Sequence, residues 1–477
     1  ISASATRSHC GCKCAYIRQQ VIQACRVAAQ GESVSQTSFI IDAPVFDPTT
    51  GEARFGYQLG EHAFVETLRF PLDTMDMARA DTGAFATLLD LTAAVLGVSY
   101  FKLLAPFEID ATALALSPAQ RAFLLDVYEN GLGEFYARND LKRFGRLSIT
   151  AGDPRQDNIP QTLPDRALVL IGGGKDSLVS VQLLESAGTE MSLFAVNPKG
   201  PILTSAERSG LPFLAVERIL DPEMIALGKK PGYYNGHVPS TAINSMIAAL
   251  ASLLYGYGNI VLSNERSASE GNIEFDGRQA NHQYSKSIDF ERAIRDVLAT
   301  ATSGSLGYFS LLRPYSEARI AALFARSNRY DDVFSSCNRN FRLAGHDGPL
   351  WCGKCPKCHF VFLIFAPHMD KARLTAIFGQ NVLDNPDNID PYRELTGLSG
   401  HKPWECVGEI LEAAACLWRI ADHPDWRDSA VVKALRPDLE AFYGPARLQS
   451  AYEEFMADSA DHLIPENIES AVAPHAH

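Results

Sequence analysis

Long apolar runs are missing from this chain of 477 residues. None approaches the roughly 18 residues that a membrane-crossing helix needs, so no membrane association is expected. The N-terminus carries no apolar core of the kind a secretory signal has, and the expected compartment is the cytoplasm. Positive charge is also scarce. Lysine and arginine number 43 against 56 acidic residues, a net charge of −13. A protein that grips nucleic acid normally presents a basic surface, so a nucleic-acid partner is not expected. Ten cysteines in so long a chain are too few for a disulfide scaffold. Internal repeats and low-complexity tracts are absent. What is left is an ordinary globular composition, 46% hydrophobic and 21% charged, with length for about two or three domains.

Two common nucleotide motifs are absent as well, the P-loop and the dinucleotide fingerprint G-x-G-x-x-G. A different phosphate cradle stands in their place. Residues 168–171 form a short apolar run suited to a strand buried on both faces. Gly172, Gly173 and Gly174 follow at once, then Lys175, Asp176 and Ser177. From Leu178 the pattern turns helical, with Leu178, Val181, Leu184 and Ala187 on one stripe and Gly188 as a stop. Glycines at a strand-to-helix turn let backbone N–H groups approach phosphate oxygens, and the helix dipole favours negative charge there. Lys175 adds a cation and Ser177 a hydroxyl, and Asp176 is suited to holding Mg²⁺ between phosphates.

Around this centre the chain divides by texture. Residues 1–37 hold one helical pattern, 16–29, and read as a weakly structured extension; its Cys10, Cys12 and Cys14 suit free thiols or a metal. The segment 38–150 is expected to form an α+β domain. Strands fall at 38–41, 53–59 and 63–70 in a small antiparallel sheet, helices at 84–96 and 118–131, and a short strand near 100–104. A polar linker covers 151–164. From 165 to 366 strands (191–196, 211–216, 259–262) alternate with helical patterns, one of them capped by Ser240 with Ile243, Met246, Ile247, Leu250 and Leu254 on one face. Such alternation implies a parallel sheet with helices on both faces and ligands at the carboxyl ends of its strands. Helices are further expected at 290–298, 315–324, 360–366, 404–421 and 430–442, the last two in a helical C-terminal region, 367–477, that ends in a polar tail.

Cys352, Cys355 and Cys358 form C-x2-C-x2-C, and Cys337 lies 15 residues upstream. Four thiolates in this arrangement suit a closed, structural tetrahedral Zn²⁺ site, with Lys354 and Lys357 offsetting its negative charge. An iron–sulfur cluster is the alternative, and His346 or His359 the substitute if Cys337 is not a ligand.

The loop Gly172 to Ser177 resembles the pyrophosphatase loop, usually Ser-Gly-Gly-x-Asp-Ser, of ATP-dependent adenylating and thiolating enzymes; Gly172 stands where that loop has its first serine. With the late cysteines it is similar to the deazapurine-synthesising ligases. The text between fits another family better. Asn235-Gly236-His237-Val238-Pro239, Leu262-Ser263-Asn264-Glu265-Arg266-Ser267, Asn281-His282-Gln283-Tyr284-Ser285-Lys286-Ser287 and Phe334-Ser335-Ser336-Cys337-Asn338 resemble the MurL-type epimerases. Those enzymes act on UDP-N-acetylmuramoyl-L-alanyl-L-glutamate in peptidoglycan precursor synthesis. The likeness is strong over 167–366 and outside it only general.

The resemblance implies a PP-loop ATP-binding fold of the adenine nucleotide alpha-hydrolase type and epimerisation of the terminal glutamate. The α-proton of a free carboxylate is very weakly acidic, and adenylation cancels the charge that makes it so, with ATP giving AMP and pyrophosphate. Gly172 to Ser177 would cradle the phosphates, with Asn197, Ser263 and Asn264 beside the nucleotide. Lys175, Arg266 and Lys286 are candidate cations at the reacting phosphate and the enolate-like intermediate. Proton transfer needs a group with pKa near neutrality, His282 first and His237 second. Glu265 would bind a substrate amide or a metal, and Arg313 and Arg342 a carboxylate or diphosphate. The rival readings are an amide- or nitrile-forming ligase, a tRNA thiolase and a non-enzymatic nucleotide-binding regulator.

Overall fold

The computed structural model describes residues 38–155, 162–269, 271, 273–341, 348–400 and 407–477. The expected helix at 16–29, Cys10, Cys12, Cys14, Arg342 and His346 lie outside them.

The strands are β1 (Phe39–Ile41), β2 (Val45–Asp47), β3 (Glu52–Leu59), β4 (His62–Arg69), β5 (Glu108–Ala115), β6 (Ser148–Gly152), β7 (Ala167–Leu170), β8 (Met191–Val196), β9 (Phe213–Ile219), β10 (Asn259–Leu262), β11 (Ile273–Phe275), β12 (Arg278–Ala280) and β13 (Gly307–Ser310). All but the β11–β12 hairpin join one sheet in the order β13-β10-β7-β8-β9-β4-β3-β1-β5-β6, with β2 on β3. From β13 to β9 every pairing is parallel. β9 then meets β4 antiparallel, Leu68 opposite Arg218. The strands of the segment 38–152 thus extend the parallel sheet. The joint is sealed by a buried ion pair, Arg218 Nε to Glu66 Oε1 at 2.5 Å, with Arg218 also donating to Ser99 Oγ at 2.9 Å.

Alternate residues of the parallel strands enter different cores, as a side-chain period of two requires. Leu168, Phe194, Ile260 and Tyr308 face one core, whereas Ala167, Val169, Leu193, Val261 and Phe309 face the other. The first core is closed by α1 (Gly83–Leu96) and by Ser240–Tyr255. A short helix, α2 (Gly133–Asn139), lies at its edge. The second core is closed by α3 (Lys175–Ser186), which follows the glycine loop, and by α4 (Glu317–Ala325) and α5 (Pro356–Phe365). Mixed α/β architecture with a mostly parallel centre and a helical C-terminal region is therefore what the chain adopts.

Several local expectations need correction. The strand near 100–104 is instead a short helix, Val98–Phe101, because Gly97 stays right-handed (φ −53°, ψ −25°) and the chain runs on from α1. The resulting stretch Gly83–Phe101 is apolar over 19 residues, longer than the sequence reading allowed, but 94% of its apolar window is packed inside the protein. The strand of this region is β5, whose Ile109 and Ala111 alternate inward. Ser240 is the first residue of its helix, not its cap, which is Pro239. The expected polar tail carries two helices, Pro445–Met456 and Glu466–Ala476. Their sparse apolar stripes, Leu448 with Phe455 and Ile468 with Val472, are buried. The 404–421 helix is seen as Ile410–Arg419, with 401–406 outside the described residues.

Candidate active site

β7 is the first strand of the parallel set and lies at its centre. The chain builds β8 and β9 on one side and β10 and β13 on the other. Loops leaving β7 and β10 therefore diverge at a switch point, where such sheets bind ligands. The glycine loop and the segment Ser263 to Ser267 after β10 come together here. Gly173 has φ +72°, and a Cβ on it would come within 2.7 Å of the backbone at Pro201 and Ile202, so only glycine fits. No side chain caps the N-terminus of α3. Ser177 Oγ turns back on the loop, accepting from Gly172 N at 3.3 Å. Ser263, after β10, bonds Ser180 of α3 through its hydroxyl at 2.7 Å, and Asn264 and Glu265 beside it are buried.

Lys175 is buried, and its ammonium is bonded to both Asp176 and Glu317 of α4. Burial opposes its charge, but these two carboxylates outweigh that and raise its pKa. For Asp176 burial works the other way, and Lys175 first, then Lys357 and Lys286, hold the carboxyl below its ordinary range. Glu412, from the C-terminal helices, accepts from Ala318 N at 2.7 Å and is pushed up to about 8 by burial and then by Glu317.

Arg313 does not present its guanidinium to a ligand. It is buried, pairs with Glu291 Oε2 at 2.7 Å, and donates to the carbonyls of Glu265 (2.7 Å) and Lys286 (2.6 Å). That contact ties the segments 262–267 and 281–287 together. Arg266 reaches the carbonyls of Glu454 and Ala457, both at 3.4 Å, and so faces the C-terminal helices. Asn197, in left-handed backbone (φ +48°), spends its amide on β9, donating to Arg218 O at 2.7 Å and accepting from Arg218 N at 2.8 Å.

The two histidines converge. Their ring centroids are 4.6 Å apart, and both Nδ1 atoms face one oxygen of Glu134 from α2. His282 is bonded to that Oε2 and His237 lies 3.6 Å from it, while Arg138 holds the other carboxylate oxygen at 2.5 Å. Burial first, then the charge of His282 and of Lys286 and Lys102, depress His237 to about 4, with Glu134 opposing. His237 is thus a neutral imidazole at pH 7. Burial alone would raise the carboxyl of Glu134, but the bond and charge of His282 bring it below its usual value. The three ligand atoms lie within 4.8 Å, close enough for a metal ion. The two lysines whose charge reaches His237 make this poor ground for a cation. The charge of Lys286 acts on both Asp176 and His237. Glu134 was not foreseen; a lone acid in the first turn of a helix ordinarily serves the dipole. A wide groove between Pro118–Glu129 and Ile288–Thr302, lined by Phe123 and Val297, holds none of these residues.

The four cysteine sulfurs also lie within 4.8 Å of one another, Cys337 to Cys355 at 4.0 Å and Cys352 to Cys358 at 3.7 Å. A tetrahedral centre with Zn–S near 2.3 Å sets its sulfurs ~3.8 Å apart, so the donor set fits. His359 is bonded through Nε2 to Gly353 O at 3.1 Å and lies outside the cluster.

Comparison with known proteins identifies the family. The MurL N-terminal domain profile matches residues 31–311 and the MurL C-terminal domain profile residues 333–449. The chain belongs to the MurL family. Among MurL relatives, the UDP-N-acetyl-alpha-D-muramoyl-L-alanyl-L-glutamate epimerase of Xanthomonas oryzae pv. oryzae is 41% identical over 423 residues, 88% of this chain and 93% of the relative. Proteins of the same name from Salinispora tropica (42%, covering 83% and 88%) and a Micromonospora species (40%, covering 91% and 98%) are similarly close. Epimerases are isomerases, and MurL membership places this chain among enzymes of that class.

Proposed function

We propose that the chain epimerises the terminal L-glutamate of UDP-N-acetylmuramoyl-L-alanyl-L-glutamate to D-glutamate at the expense of ATP, in the cytoplasm, for peptidoglycan precursor synthesis. One observation supports the reading: the helix after the glycine loop is bonded to the segment after β10 through Ser180 and Ser263, and Arg313 bonds that segment at Glu265 O and the His282 segment at Lys286 O. The substrate carboxylate attacks the α-phosphorus of ATP and pyrophosphate leaves. Gly172, Gly173, Gly174 and Ser177 cradle the phosphates in a PP-loop fold, with Ser263 and Asn264 around the nucleotide, whereas the Asn197 amide is committed to Arg218. Asp176 would hold Mg²⁺, which supplies charge neutralisation at the phosphates. The four-cysteine set would hold a structural Zn²⁺.

In the mixed anhydride the acyl group is neutral, and loss of its α-proton leaves an enolate whose oxygen Lys286 stabilises. His237, uncharged, takes that proton; His282, bonded to Glu134, is the acid of the pair. After reprotonation on the other face, water cleaves the anhydride to carboxylate and AMP. The rings are 4.6 Å apart, and in this reading both work from one side of the carbon. Inversion then needs the planar intermediate to turn, or a proton from Lys286 on the far side.

Incubation with the UDP-dipeptide, ATP and Mg²⁺ in D₂O tests the reading. ATP-dependent D-glutamate bearing α-deuterium is expected, with AMP released. Deuterium also in recovered L-substrate means one-sided proton transfer; deuterium only in product means two-sided. AMP release without exchange sinks the epimerase in favour of a ligase.

A further inference from the structure

The cysteine cluster is not remote from the phosphate loop. Ser335 N–H donates to Gly173 O at 2.9 Å, and Ser336 Oγ sits so near Gly174 that a Cβ there would lie 2.7 Å from it. Cys337 follows directly and donates its own N–H to Ser335 Oγ at 3.1 Å. From the other side, Lys357 stands between Cys355 and Cys358, in the first turn of α5. Its Nζ is 3.9 Å from Glu317 Oε1, on the carboxylate that also binds Lys175, and its charge acts on Asp176. The thiol cluster therefore joins the two segments that border the loop, and one of them carries a lysine.

Of the two lysines at this carboxylate, Lys175 has a side chain 1% exposed and Lys357 one 10% exposed. Two ammonium groups are balanced by Asp176 and Glu317. A polyphosphate arriving at the α3 N-terminus brings negative charge that can replace Glu317 as partner.

We propose that Lys357 is a phosphate-binding residue of the nucleotide site, placed there by the cysteine centre, so that the centre forms one wall of that site. This rests on the ATP reading above. The test is titration calorimetry of the full-length enzyme with Mg-ATP and, separately, with the UDP-dipeptide, alongside metal content by mass spectrometry. Lys357→Met is expected to weaken ATP at least about tenfold, the size of one charge-assisted contact. Bound metal per chain and UDP-dipeptide affinity should stay at the wild-type level, and Lys357→Arg should restore most of the loss. ATP affinity unchanged in Lys357→Met overturns the proposal, as does loss of metal together with ATP binding, which would make Lys357 a support of the centre alone. A wild-type enzyme that binds no ATP removes the nucleotide reading itself, a separate failure.

Discussion

The phosphate end and the histidine end of the site are built in opposite ways. Gly172 to Ser177 are consecutive, set by one turn between β7 and α3, and backed by buried charges already paired. The histidine end draws Glu134, His237 and His282 from three segments; Glu134 and His282 are 148 residues apart and meet through a single carboxylate oxygen. A local turn tolerates no change of shape, while a convergent cluster tolerates shape change but depends on charge. Mutations should separate the two.

The largest effect belongs to the histidine end. His237→Ala is expected to cut epimerisation by about 10²–10⁴, the usual value of positioned acid–base catalysis, while AMP release continues. Parallel assays of glutamate chirality and AMP decide it, and equal loss of both would merge the two ends into one. At the phosphate end, Gly173→Ala meets a backbone wall at 2.7 Å in a left-handed conformation. It should lower ATP turnover roughly 100-fold, strain and displacement together costing about 2–3 kcal/mol, with UDP-dipeptide binding preserved.

Third comes stability. His237 is depressed from 6.5 to about 4, so between these values the unfolded chain binds a proton that the folded one does not. Stability is fully present above 6.5 and is lost as pH falls toward 4, by an amount on the order of 2 kcal/mol after allowance for partial exposure. Denaturant melts across that window should flatten in His237→Phe; an unchanged slope would place the acid sensitivity elsewhere. The smallest effect is expected for Glu134→Gln, which keeps the shape and removes the charge. A fall in kcat of about tenfold is expected, with KM for ATP unchanged and the acid limb of the rate profile displaced.

The same contrast explains what could be read in advance. The glycine turn and the cysteine knuckle are legible because their chemistry lies within a few consecutive positions. The catalytic roles of His237 and His282 came only through family likeness. Glu134 offered no signal, since its role exists only once α2 has docked. In the fold, runs such as 168–171 and 259–262 announce buried strands. β5 does not, because Glu108, Asp110 and Thr112 interrupt it on the outer face. The last helices hid for a related reason: each buries only a few apolar side chains among polar, charged and small ones. That β4 would pair with β9 was beyond reach, since three residue pairs and two ion pairs make the joint.

That joint has a consequence for how the protein is made. Glu66 finds Arg218 across 152 residues, so at about 5–20 residues per second a ribosome needs roughly 8–30 s to deliver the partner strand. Throughout that interval β4 offers an open edge of backbone N–H and C=O groups to any neighbour on the polysome. A nascent chain halted before residue 219 is the form of this protein in greatest need of a chaperone.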